Sequence, residues 1–182
     1  MSNKVNQNIA NFYGEAAVRD FTRDFLFRVT ELNIDGVRPM TEADLIYVKA
    51  ASLPGRNIGN VPVPYMGLTL NVPGSVTYPG SDSYSLTFYL DASSYLRGWF
   101  EAASRAVFDD KTSGGRYGTP GSNAYIILAQ LDKNLEPIAY YKLVGASIRN
   151  IGNIDYKIAD GTGATLEIAT TFAYHFYEQL SV

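Results

Sequence analysis

Between Ser83 and Asp91 every second side chain is large and apolar: Tyr84, Leu86, Phe88 and Leu90 alternate with Ser83, Ser85, Thr87 and Tyr89. Successive side chains of an extended chain leave opposite faces, so this pattern specifies a strand with one face in a core. The pattern recurs near the end, where Leu166, Ile168, Phe172, Tyr174 and Phe176 oppose Thr165, Glu167, Thr171 and His175, predicting one long closing strand from 165 to 177. Phe25, Phe27 and Val29 share a phase that Leu32 and Ile34 abandon, which predicts a bulge in the first strand. Further strands are expected at 45–51, 65–72, 124–131, 138–144 and 151–158, joined by turns at Asp35-Gly36, 132–134, 145–150 and 160–163.

Only one substantial helix interrupts these strands. Leu96, Trp99, Phe100, Ala103 and Val107 recur at spacings of three and four, and Ser93 or Ser94 can cap them. A single helical turn is expected at Thr41 to Asp44. One helix among such strands predicts a mainly β domain: an antiparallel β-sandwich or barrel of about seven strands with one α-helix on a flank. The domain is expected to span 25–182. Residues 1–24 read as a polar arm with a short helical piece around Ala16 to Phe21.

Composition excludes much chemistry. The 182-residue chain has no cysteine and one histidine, and its 15 Lys and Arg against 18 Asp and Glu give a net charge of -3. Thiolate catalysis, disulfide frameworks and zinc clusters are excluded, and no basic footprint for gripping nucleic acid is present. His175 has no triad signature around it and reads as a surface or interface residue. Asp109-Asp110 lacks the alternating acidic pattern of a calcium loop, and the glycines of 111–122 lack a phosphate-binding spacing. No cofactor and no enzymatic site are expected. The absence of any long apolar run predicts a soluble chain, made in the cytosol and not inserted in a membrane. The fourteen tyrosines fit core faces (Tyr84, Tyr156, Tyr174) and sheet rims or protein contacts (Tyr47, Tyr89, Tyr140, Tyr141, Tyr177).

The stretch 52–74, SLPGRNIGNVPVPYMGLTLNVPG, carries four prolines. Proline nitrogens cannot donate to a ladder, so the segment belongs on an edge or in a protruding arm, placed here at 53–80. In it Met66, Leu68, Leu70 and Val72 alternate with Gly67, Thr69 and Asn71, Leu53-Pro54-Gly55 turns the chain out, and Pro73-Gly74 turns it back.

The order of these pieces resembles a known family. Leu53-Pro54-Gly55, Val63-Pro64-Tyr65-Met66-Gly67, Leu70-Asn71-Val72-Pro73-Gly74, the strand to Asp91, the helix with Leu96, Arg97 and Trp99, then Tyr141 to Ala146, Asn150 to Ile154 and Phe172-Ala173-Tyr174 are similar to the tail tube protein of T4-like contractile-tailed bacteriophages, within the phage tail tube and Hcp-like superfamily. The resemblance implies hexameric rings stacked into a hollow tube in the virion, assembled in the host cytoplasm. Implied partners are other copies of the chain, a tail sheath protein, a tape measure protein, a baseplate tube initiator and a tail terminator. DNA would pass through the lumen during ejection without specific binding, which suits a negative wall.

On this reading the inter-subunit contact candidates are Leu53, Pro54, Gly55, Val61, Val63, Tyr65, Met66, Leu68, Leu70, Val72, Pro73 and Gly74, and the sheath-facing candidates are Arg97, Glu101 and Arg105. The polar strand faces, Thr69 and Asn71 or Asp155 and Lys157, are lumen candidates. Alternatives are a baseplate tube initiator, the inner tube of a phage-like injection or secretion system and, from another class, a carbohydrate-binding β-sandwich module.

Overall fold

The computed structural model describes residues 9–18, 21–158 and 161–181. Two antiparallel four-stranded sheets enclose the core. The first is ordered β1 (Phe27–Asn33), β8 (Tyr125–Leu131), β9 (Pro137–Val144), β12 (Phe176–Leu180). The second is ordered β10 (Ser147–Ile151), β11 (Glu167–Ala173), β5 (Tyr84–Tyr89), β2 (Val48–Ala50). Tyr84, Leu86 and Phe88 of β5 are buried as their alternation requires, opposite Ile168 and Phe172 of β11. Val29 and Leu32 of β1, Ile126 and Leu128 of β8 and Leu143 of β9 belong to the same core. The predicted change of phase is a bulge between Val29 and Glu31, which lets residues three apart both point inward.

The long closing strand is divided. β11 ends at Ala173 in the second sheet and β12 begins at Phe176 in the first, so the chain changes sheet at Tyr174 and His175. The preceding pair does the same at Gly145 and Ala146, between β9 and β10. The two crossings are tied together: the Ala124 carbonyl accepts from the N–H groups of Gly145 (2.8 Å) and Ala146 (3.0 Å), and His175 N–H donates to Val144 (2.9 Å). Gly145 has φ +73, and a Cβ there would lie 2.0 Å from Cδ2 of His175, so both conformation and contact call for glycine. Alternation in the sequence could not reveal this break, because the apolar residues keep their spacing through Phe176, although beyond the corner it is Tyr177 that packs on the core while Phe176 is exposed.

Four more expectations are corrected. The strand expected at 151–158 is irregular beyond Ile151, and the segment expected as a turn at 145–150 contains β10, because Ile148 is buried and Gly145-Ala146 alone makes the turn. Tyr156, assigned to a core face, is 71 % exposed. The N-terminal helix α1 (Ile9–Val18) starts earlier than 16–21. Residues 160 and 182 of the expected turn and domain lie outside the described residues.

Helix α2 (Glu42–Leu45) follows Thr41 as expected, with the Asp44 carboxylate accepting from the Thr41 N–H (2.9 Å) and hydroxyl (2.7 Å). Helix α3 (Tyr95–Val107) buries Leu96, Trp99, Phe100 and Ala103 on the core, where the Phe88 and Phe100 rings meet edge to face at 5.0 Å. The buried Trp99 indole donates to the Arg38 carbonyl (2.9 Å). Neither serine caps α3: Ser94 adopts φ +56, and the Asp91 carboxylate reaches forward to accept the N–H groups of Tyr95 (2.9 Å) and Leu96 (3.0 Å). Beyond α3, the glycine-rich loop contains a small hairpin of β6 (Phe108–Asp109) and β7 (Gly114–Gly115).

Partial burial alone would raise the Asp91 pKa, but hydrogen bonds from Ser93 and the helix amides outweigh it and hold the carboxyl below its usual range. A depressed folded pKa gives stability that is complete above the unfolded value near 3.9 and lost as pH falls through the folded value. Asp91→Ala is therefore expected to cost about 1 kcal/mol at pH 7, with the gap to the unsubstituted chain narrowing on acidification below about pH 4, as denaturant titrations at the two pH values will show. Thr170, fully buried between Ile168 and Phe172, has a hydroxyl without a hydrogen-bond partner among the described residues. Thr170→Val is expected to raise the unfolding free energy by roughly 1 kcal/mol in the same assay.

Candidate functional site: a free-standing amphipathic hairpin

Among the described residues, β3 (Asn57–Tyr65) and β4 (Leu68–Thr77) pair only with each other. They are inserted between β2 and β5, neighbours in the second sheet, so the hairpin grows outward from that ladder. Its root is anchored on both sides. The Tyr84 hydroxyl donates to the Ser52 carbonyl (2.7 Å) before β3, while Tyr78, after β4, packs its ring on Tyr177 (5.5 Å) and Tyr174 (6.5 Å). Burial pushes the Tyr84 phenol above its ordinary pKa.

Tyr65 pairs with Leu68 across a two-residue turn in which Met66 has φ +47 and Gly67 φ +80, the type I′ geometry that matches strand twist. The expected alternation from Met66 to Val72 is thus interrupted: Met66 is the tip, 87 % exposed, and the chain reverses there, not at Pro73-Gly74. Pro73 and Gly74 lie within β4, Gly74 at a bulge where a Cβ would come within 2.6 Å of Cγ2 of Val61. The extended material predicted for 53–80 is a hairpin of 57–77, with Leu53, Pro54 and Gly55 in the exposed to half-buried lead-in.

Directly opposed residues of an antiparallel pair share a face. The pairs Val61 with Val72, Val63 with Leu70, and Tyr65 with Leu68 therefore make one face wholly apolar, whereas Asn60, Pro62, Pro64, Thr69, Asn71 and Pro73 form the other. The apolar six are between 42 % and 67 % exposed. A contiguous exposed apolar face of that kind is a candidate contact surface. Burying the exposed half of each side chain is worth roughly 1 kcal/mol, or about 6 kcal/mol for the face.

A second apolar surface lies on the body. Phe21, Phe25, Ile46, Leu135 and Ile138 are each more than half exposed, and Phe21, Phe25, Leu131 and Ile138 line a shallow cleft at one end of the first sheet. Sequence reasoning missed this surface because its members come from four separate segments. Their only local signal is an apolar residue out of phase with its strand or turn.

The three helix candidates separate. Arg97 donates through Nε to Glu101 (2.9 Å) and through a terminal nitrogen to the Gly152 carbonyl (2.8 Å), which fastens α3 to the end of β10. Glu101 also faces Arg105 at 3.6 Å, and Arg105 is the most exposed of the three. Asp155 and Lys157 sit in the irregular segment after β10, not on a strand face. His175 is exposed at the corner, and no group of three or more potential metal ligands occurs among the described residues.

No family model matches the sequence, and no curated protein matches it. Solved structures do. A chain in the six-fold symmetrised cryo-EM structure of the anti-feeding prophage baseplate superposes with a TM-score of 0.58 at 17 % identity, over 90 % of this chain and 96 % of that one. One in the extended sheath-tube complex of the PVC extracellular contractile injection system gives 0.57 at 10 % identity, over 93 % and 97 %. The chain has their fold. A chain of the anti-feeding prophage cap, a tube-terminating cap, gives 0.58 at 10 % identity over 90 % and 93 %. The superpositions cover 93–97 % of those chains.

Arg97→Ala is expected to cost roughly 1.5 kcal/mol, the scale of a charge-assisted hydrogen bond to a half-buried carbonyl, whereas Arg105→Ala should stay within about 0.5 kcal/mol; thermal melts of the isolated subunit distinguish the two.

Proposed function

We propose that this protein is the subunit of the inner tube of a contractile tail or injection particle, self-assembling into stacked hexameric rings. The observation that carries the reading is the anchored hairpin whose six-residue apolar face is left exposed by the described residues of the subunit. A monomer would leave that face in water. A ring or stack covers it with the next copy, and the apolar surface around Phe25 and Ile138 is a second area needing the same cover. The shared fold with chains of tube-bearing particles supports this reading.

Within the reading, the wider partners are a sheath protein outside, a baseplate initiator and a terminator at the ends, and a tape measure protein in the lumen. A phage tube would conduct DNA through a channel whose subunits carry a net charge of -3, so phosphates would slide without sticking. The location is the particle's tube, with assembly in the host cytoplasm. The likeness to the injection-system chains equally supports the tube of such an apparatus, with a different cargo.

Leu70→Asp, and separately Val63→Asp, is expected to leave the melting temperature of the isolated subunit nearly unchanged, because both side chains are already exposed, and to abolish sedimenting tubes in negative-stain microscopy. Normal tubes from both variants, or a wild-type protein that remains monomeric at high concentration, would sink the reading.

A further inference from the structure

The hairpin's two outer edges are chemically unlike. In a hairpin closed by a two-residue turn, the pair flanking the turn exchanges both backbone hydrogen bonds, and bonded and non-bonded pairs alternate from there. Tyr65 with Leu68, Val63 with Leu70 and Val61 with Val72 are thus the bonded pairs, and the intervening residues turn their backbone groups outward. On β3 the outward positions are Asn60, Pro62 and Pro64; on β4 they are Thr69, Asn71 and Pro73. Every proline of the paired region therefore occupies a position where its missing N–H costs the hairpin nothing. Near the tip, the outer edge of β3 is left with carbonyls at 62 and 64 and no donors, the first outward N–H lying back at Asn60. The outer edge of β4 near the tip keeps both donors and acceptors at Thr69 and Asn71.

We infer that the hairpin accepts an added strand on β4 alone, and that this strand is β12 of a second copy of the chain. The inference rests on the tube reading and specifies its contact. The body offers four sheet edges, β1, β12, β10 and β2. β1 is occupied by the segment around α2, whose Met40 N–H donates to the Leu32 carbonyl (3.0 Å). β10 packs beside α3 and is fastened to it through Arg97 and Gly152. β2 has only three residues and a register break between Val48 and Ala50.

β12 is a regular five-residue strand paired to β9 on one side and open on the other among the described residues. It presents Phe176 and Leu180, each 37 % exposed, at alternate positions about Glu178. Laid beside β4, these can extend the apolar face of Leu68, Leu70 and Val72. The two joined edges differ, so the contact is head to tail and can close a ring, while the prolines forbid a second strand from growing on the far side of the hairpin.

Asn71→Pro tests this directly, since the substitution removes an outward donor and leaves the hairpin's own ladder intact. The expected result is an isolated subunit with unchanged circular dichroism and melting, and loss of pelletable tubes. Pro62→Thr with Pro64→Thr, on the other edge, is expected to keep tubes. The chain lacks cysteine, so Leu70→Cys, on the apolar face, combined in turn with Phe176→Cys, Glu178→Cys or Leu180→Cys is expected to give a disulfide-linked ladder on non-reducing gels under oxidation of assembled tubes. Tubes from Asn71→Pro, loss of tubes from the Pro62 and Pro64 pair alone, or no crosslink from any of the three cysteine pairs overturns the inference while leaving the tube reading in place. A wild-type chain that forms no tubes overturns both.

Discussion

The two sheets of this protein share their strands at one corner, and the remainder of the structure depends on it. β9 continues into β10 through Gly145-Ala146, and β11 into β12 through Tyr174-His175, so two adjacent strands cross from one sheet to the other side by side. The Ala124 carbonyl, accepting from both Gly145 and Ala146, fixes the angle of the turn. That angle sets the inner faces opposite each other and lets α3 close the space with Leu96, Trp99, Phe100 and Ala103. It also leaves β12 at one edge of the molecule and the β2 to β5 ladder, with its hairpin, in the other sheet.

A core closed in this way frees the hairpin from any part in folding the body. Tyr84 holds its lead-in and Tyr78 its return, and between these anchors the β3 to β4 ladder organises the chain. The resulting division of labour is physical: the sheets hold the core, and the hairpin carries an apolar face that the described residues leave exposed. A Met in the left-handed region at the tip is tolerated because the neighbouring Gly67 shares the turn and no side chain crowds it.

Much of this was legible from residues. The phase slip between Val29 and Leu32 located a bulge, the spacing from Leu96 to Ala103 located α3, and Tyr84 to Phe88 located a buried strand. The long strand at 165–177 was misread because Leu166 to Phe176 keeps its alternation through the corner, and period alone carries no information on which sheet a residue joins. Capping was misassigned to serine because Asp91 reaches four and five residues ahead from outside the helix. The hairpin was legible as an extended, protruding segment, but its tip was placed wrongly. Pro-Gly at 73–74 is a strong turn signal, and the bulge there satisfies the same glycine without reversing the chain.

The sequence by itself determined the alternation, the class of fold, the exclusion of thiol and zinc chemistry, and the fact that 53–74 could not lie inside a sheet, because each follows from side-chain period or from a missing N–H. Only the tertiary structure decided which residues oppose one another. Opposition is what gathers Val61, Val63, Tyr65, Leu68, Leu70 and Val72 onto one face and turns Pro62, Pro64 and Pro73 outward together, and it depends on where the chain reverses. A register is a relation between two strands, so no single stretch of sequence contains it.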